Sequence, residues 1–118
     1  MNIIITGGNG FLGSKLAEKF ISKGHAVDIL DIKKNSLNKS VKNSKKIKFH
    51  KADITSLQSL LKLKVKKNAV LLHCAGQPSA ALSFQDPNDD LKKNIKGMLN
   101  IIEFSKKKKI KKIVFAST

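Results

Sequence analysis

Short apolar runs alternate with stretches of helical periodicity along the whole of this 118-residue chain. Asn2–Thr6 (NIIIT) is a continuous apolar run, the pattern of a strand buried on both faces. Residues 11–23 follow, with Leu12, Leu16 and Phe20 on one helical stripe. Gly24 stands just past their end, where a helix needs a residue that accepts left-handed backbone angles. Residues 26–31 (AVDILD) predict a second strand, and 33–45 an exposed loop or loosely helical connection. Residues 46–50 (KIKFH) alternate as an edge strand does, with lysines toward water. A short helix over 56–63 and a fourth strand over 69–74 (AVLLHC) come next, then a loop over 76–87 that holds both prolines. A long helix from about 88 to 107 and a fifth strand over 112–116 (KIVFA) complete the pattern. On the long helix Ile95, Met98, Leu99 and Ile102 share one face, which predicts its buried side.

Strands that alternate with helices pair in parallel, because each helix carries the chain back across the sheet in a right-handed crossover. The predicted fold class is α/β, a doubly wound parallel sheet with helices on both faces. It forms one domain without internal repeats, and 118 residues suffice for one core but not two.

Composition narrows the function classes. No apolar run approaches the roughly 18 residues of a membrane span, and no basic stretch leads into a signal-like run, so no membrane partner is expected and the cytoplasm is the default location. Cys74 is the single cysteine, which excludes an internal disulfide or a multi-thiolate zinc site and fits a reducing compartment. His73 has no companion ligands and reads as packing at a strand end; Cys74 reads as a small buried apolar residue, and no metal is expected. The formal charge is +16, and all 24 basic residues are lysines. Without arginine there is no planar fork for bases or phosphates, and without Trp or Tyr little aromatic surface for stacking, so nucleic acid is not the expected partner. The lysines read as a solvated surface.

Four of the seven glycines fall within TGGNGFLG, residues 6–13, at the turn between the first strand and the first helix. Gly7, Gly10 and Gly13 follow a GxxGxxG spacing. The first suits a tight strand-to-helix turn, the second lets backbone N–H groups approach a diphosphate, and the third lets the helix pack closely on the sheet. The helix N-terminus then presents free N–H groups and a partial positive charge to that diphosphate. Asp31 ends the second strand 18 residues after Gly13, where a carboxylate can accept from both ribose hydroxyls and repel a 2′-phosphate. The pattern is that of a Rossmann-type fold, with NAD favoured over NADP as the cofactor.

Six segments in order, TGGNGFLG, GHAVDILD, KADI, LLHCAG, DPNDDLKKNIKGMLNIIE and IVFAST, resemble the extended short-chain dehydrogenase/reductase family, the NAD-dependent epimerases and dehydratases of nucleotide sugars. The resemblance implies that Phe11 and Leu12 give backbone contacts to the diphosphate, that Asp31 holds the ribose, and that Asp53 and Ile54 flank the adenine. Asp53 has a second reading, as a cap of the helix that follows. Cys74, Ala75 and Gly76 would line the cofactor beyond the fourth strand, and Asn94 matches a family position near the active site. Met98 follows Gly97 where the family pattern has Thr.

The family's reaction, as the resemblance implies it, oxidises a sugar hydroxyl: a tyrosinate takes the proton while hydride passes to the nicotinamide. A Ser or Thr bonds the same hydroxyl, matched here by Thr118 with Ser117 beside it. The lysine four residues after the tyrosine lowers its pKa. This chain has no tyrosine. The expectation is therefore an incomplete NAD-binding Rossmann domain over 1–118, truncated after the fifth strand, with the Tyr/Lys segment and substrate-binding region absent. The parent protein would be an enzyme acting on a nucleotide sugar, and these residues alone inactive. Family members often dimerise through the long helix, so a homodimer is the implied assembly. A non-catalytic NAD(P)-binding regulator of the same fold and a related extended-family reductase remain alternatives.

Overall fold

A computed structural model of the chain describes residues 1–8, 10–33, 42–75 and 87–116. Among them are five strands, β1 (Asn2–Thr6), β2 (Ala26–Asp31), β3 (Ile47–Lys51), β4 (Val70–His73) and β5 (Lys112–Phe115), all parallel in the order β3-β2-β1-β4-β5. The helices are α1 (Phe11–Ser22), α2 (Leu57–Leu61) and α3 (Pro87–Lys107). Pro87 opens α3 instead of ending the loop before it, since a first-turn position has no use for the N–H that proline lacks. Of the connection predicted over 33–45, residues 34–41 lie outside the described residues, as do residues 76–86 of the loop predicted over 76–87, among them Gly76, and Ser117 and Thr118.

The central strand explains the apolar run that begins the chain. Ile3 and Ile5 pack on the α1 face with Val27, Ile29 and Ala17. Ile4 points to the other face, with Leu30, Leu71, Leu60, Ile101 and Phe104. All three isoleucines are at most 2% exposed, so each contributes about 2 kcal/mol of burial. Such a run cannot be placed with one face in water, which fixes β1 in the middle of the sheet. On edge strand β3, Lys48 faces solvent, as the alternation predicts, and Lys51 is exposed where the strand ends.

Two predicted helix faces differ from the structure. On α1, Leu12 is 48% exposed and the buried residues are Gly13 and Ala17, flanked by Leu16, Phe20 and Ile21. The helix lies so close to the glycine turn that small residues, not the largest apolar ones, form its contact face. On α3, Leu91, Ile95, Met98 and Leu99 are 44–61% exposed. The buried side is instead Gly97, Ile101, Phe104 and Ser105. Here too a glycine sets the approach: a Cβ on Gly97 would lie 2.6 Å from Ile54 Cδ1.

Helix α3 ends without glycine. Ile110 N–H donates to Ser105 O (2.9 Å) and Lys109 N–H to Lys106 O (3.3 Å), closing a Schellman motif. Lys109 occupies its left-handed position with φ +55°. This capping motif delivers the chain into β5.

Candidate functional site

The carboxyl end of β1 lies between β2 and β4, and the chain leaves it into α1 on one face while α2 and α3 cover the other. This is the switch point at which open α/β sheets bind ligands. Gly7 sits at its centre with φ +69°. Its N–H donates to Leu30 O (2.8 Å), and a Cβ on it would come within 2.9 Å of Ala75 Cα and N. A Cβ on Gly13 would run into the Gly7 carbonyl oxygen. Fold geometry therefore accounts for Gly7 and Gly13.

Gly10 is different. It caps α1 with φ −77° and ψ 178°, angles open to any residue, and is exposed. Among the described residues a Cβ there would meet Gly7 O, at 3.3 Å. That contact is close, but the backbone angles do not call for glycine, and the position stands in front of a helix N-terminus. The first turn of α1 carries no acidic residue to occupy that end. Phe11, at 85% exposure, and Leu12 turn outward, so this turn offers its backbone to a ligand.

Asp31 ends β2, one residue after the Leu30 carbonyl that holds Gly7. Its Oδ1 accepts from Lys33 N–H (3.2 Å), and its carbonyl accepts from Ala52 N–H (3.0 Å), which aligns the exit of β3 beside it. Asp53 follows directly. Its Oδ1 accepts from Thr55 Oγ1 (2.7 Å) and Thr55 N–H (2.9 Å), ordering the turn before α2. The side chain that caps α2 is Ser56, which accepts from Ser59 N–H. The two Thr55 hydrogen bonds, helped by Lys93 and Lys96, hold the Asp53 carboxyl below its usual range. Asn100 Nδ2–H donates to Ile54 O (2.8 Å), tying this turn to α3.

Thr6 organises the other side. Its Oγ1 accepts from Cys74 N–H (3.1 Å) and Ala75 N–H (3.2 Å) and lies 2.7 Å from His73 Nδ1. With both acceptor positions used, the hydroxyl proton goes to Nδ1, which leaves His73 neutral with its proton on Nε2. Burial pushes the His73 pKa below its ordinary 6.5, in the same direction. Its ring meets Phe115 edge to face at 5.6 Å. Cys74 is half-buried, packs beside the α1-side core, and has its thiol pKa raised by burial.

The structure thus gathers Gly7, Gly10, Phe11, Leu12 and Gly13 at the end of β1, with Asp31 on one side and Cys74 and Ala75 on the other. Asp53 and Ile54 stand past the end of β3, and Asn94 is half-buried in α3. Sequence reasoning missed Thr6 and Asn100 as organisers. A hydroxyl directly before paired glycines was the available signal for the first; the second carries none. Among the described residues no group of three metal-ligating side chains occurs, and no helix is long and apolar enough to cross a membrane.

Comparison with known proteins agrees with this geometry. The chain is 33% identical over 122 residues to the UDP-glucose 4-epimerase of Schizosaccharomyces pombe, spanning 98% of this chain and 34% of that protein. It is 32% identical to the UDP-glucose 4-epimerase of Mycolicibacterium smegmatis, spanning 100% of this chain and 39% of that one. The crystal structure of the Thermus thermophilus UDP-glucose 4-epimerase in complex with NAD superposes with a TM-score of 0.85 at 29% identity, over 100% of this chain and 38% of that one. The chain therefore spans a little over a third of the length of the relatives it matches. With the sequence model of the family matching residues 3–118, the chain belongs to the NAD dependent epimerase/dehydratase family.

Proposed function

We propose that these residues are the NAD-binding portion of a nucleotide-sugar epimerase or dehydratase, whose parent protein acts by transient oxidation of a sugar hydroxyl. Gly10 carries the reading: its backbone angles do not demand glycine, and it stands where a side chain would cover the N-terminus of α1. The bare turn fits a diphosphate, held by the backbone N–H groups at the start of α1, with Phe11 and Leu12 contributing main chain only, while the Gly7 and Gly10 N–H groups hold the turn itself. Asp31 accepts from the ribose hydroxyls and disfavours a 2′-phosphate, so NAD is preferred to NADP. Asp53, kept ionised by Thr55, receives the adenine amino group, and Ile54 packs on the ring. Cys74, Ala75 and Gly76 line the inner part of the cofactor.

Bound NAD supplies a hydride acceptor for the sugar carbon and a donor for its return. The chain's part in that reaction is to orient and to exclude. Thr118, with Ser117 beside it, hydrogen-bonds the sugar hydroxyl, and Asn94 supports the same region from α3. These 118 residues contain no tyrosine to take the proton, so they hold the cofactor and leave the reaction to be completed elsewhere in the parent protein. The relatives that act on UDP-glucose support a nucleotide sugar as substrate, the lack of a spanning helix among the described residues supports a cytoplasmic site, and the outward apolar stripe of α3 supports a homodimer.

Calorimetry with NAD on the protein in its natural length tests the cofactor site. Gly10→Val and Asp31→Ala are each expected to weaken binding by about tenfold or more, equivalent to about 1.4 kcal/mol, while leaving the fold intact. Binding as tight as the parent's in both variants would sink the proposal. Gly13→Ala, by contrast, is expected to damage the fold itself, because its methyl group meets the Gly7 carbonyl.

A further inference from the structure

In a parallel sheet every helix-to-strand connection reaches the pole opposite the strand carboxyl ends. In this chain those connections are where lysine collects: Lys23 before β2, Lys45 and Lys46 before β3, residues 62–67 (KLKVKK) before β4 and 108–111 (KKIK) before β5. None of the segments 23–25, 42–46, 62–69 and 108–111 contains an aspartate or glutamate. Asp31, Asp53 and Asp89 belong to the other pole, at the ends of β2 and β3 and the start of α3. Lysine is thus dense at this pole, although Lys33, Lys51, Lys92 and Lys93 stand at the other.

At the lysine pole lies an open groove of about 390 Å³, formed by the starts of β2 and β3 and the segment after α2. Lys45, Lys46, Lys48, Lys64 and Lys66 line it, all exposed. Its one acidic residue, Asp28, is 8% exposed and already engaged by His50 Nε2 at 2.8 Å. Lys46 Nζ donates to Gly24 O (2.8 Å), which anchors one ammonium at the rim. Five ammonium groups around a concavity repel one another, and their field favours a ligand that brings several negative charges at close spacing.

The chemistry of the groove selects among polyanions. Lysine offers point charges that suit phosphate without reading a base, and the groove has neither arginine nor an aromatic side chain for stacking. Its concavity suits a narrow chain better than a flat lipid surface. The lysines of 108–111, on the same pole, extend the cationic surface beyond the groove. We propose that this groove binds linear polyphosphate, at a site separated from the glycine turn by the length of the strands.

The test is titration of the natural-length protein with medium-chain sodium polyphosphate, read by calorimetry. Saturable binding is expected, falling by about tenfold or more between about 50 and 200 mM salt as released counterions dictate. The triple variant Lys48→Gln, Lys64→Gln, Lys66→Gln is expected to lose about tenfold or more in affinity. A charge-matched variant away from the groove, Lys15→Gln, Lys51→Gln, Lys92→Gln, is expected to stay within about twofold of the parent. Equal losses in the two variants would reduce the effect to net charge and overturn the proposal. So would oligo(dT) or anionic phosphatidylserine vesicles binding as tightly as polyphosphate, or no binding at about 50 mM salt. NAD affinity, measured in parallel, separates this outcome from failure of the cofactor site.

Discussion

Thr6 Oγ1 and His73 Nδ1 lie 2.7 Å apart, joining the last residue of β1 to the last residue of β4 beneath the glycine turn. The same oxygen accepts from the Cys74 and Ala75 N–H groups. Thr6→Val keeps the shape and removes all three interactions. It is expected to cost about 1–3 kcal/mol in urea unfolding, since Thr6 is fully buried and water cannot replace the lost partner. Thr6→Ser is expected to restore most of that loss. A valine variant as stable as the parent would show that the cluster does not hold the two strand ends together.

The His73 shift gives a pH dependence of definite sign. Its folded pKa is below the unfolded value of 6.5, so the unfolded chain binds the proton first as the solution is acidified. Stability is expected to fall as the pH drops below about 6.5, by up to about 1.4 kcal/mol per unit until the native ring is protonated. Asp53 acts in a lower window: its contribution is present above 3.8 and is lost as the pH falls through its lowered folded value. Unfolding midpoints of the parent and His73→Gln at about pH 7.5 and 5.5 check the assignment, with the smaller pH difference expected in the variant.

Lys109 holds a left-handed backbone with a side chain attached. Glycine carries no such penalty, and Lys109→Gly at the end of α3 is expected to stabilise the protein by about 1 kcal/mol. Lys108→Gly, one residue earlier, is expected to destabilise it. Thermal unfolding of the two variants distinguishes a local backbone effect from the general removal of a lysine.

The outward stripe of Leu91, Ile95, Met98 and Leu99 gives a test of assembly. If two copies meet through α3, Ile95→Glu with Leu99→Glu is expected to shift the natural-length protein from dimer to monomer in sedimentation equilibrium, with its far-ultraviolet spectrum retained. A dimer of undiminished strength would place the interface elsewhere.

The stripe also shows where the sequence could be read and where it could not. The unbroken burial of Ile3, Ile4 and Ile5, the glycine turn and the alternation of strands with helices were legible because each follows from local chemistry. The inward face of α3 was not. Its apolar residues favour the side with Ile95, Met98 and Leu99, yet the sheet-facing side is built on Gly97, where Ile54 comes close, with Ile101 and Phe104 below it. A glycine counts for nothing in a hydrophobic pattern and a great deal in how near two elements can come. The same is true of Gly13 on α1. Thr6 was hidden for another reason: its partner, His73, is 67 residues away and meets it only once β1 and β4 pair. Asp53 gave two readings in the sequence. The structure adds its role in the turn at Thr55, which leaves the adenine role to the binding experiment.

The hydrogen bond from Gly7 N–H to Leu30 O fixes the glycine turn to the strand that ends in Asp31. Neighbouring strands stand about 4.8 Å apart, a spacing the backbone ladder holds nearly constant. The offset between the bare helix end and the carboxylate is therefore a property of the sheet, insensitive to loop movement. On the proposed reading of the site it would work as a gauge of ligand length: a molecule would be graded by whether its anionic bridge and its ribose can reach both marks at once. A free nucleoside satisfies one mark and inorganic diphosphate the other, so neither fragment should capture half of the whole ligand's binding free energy without the linkage between them.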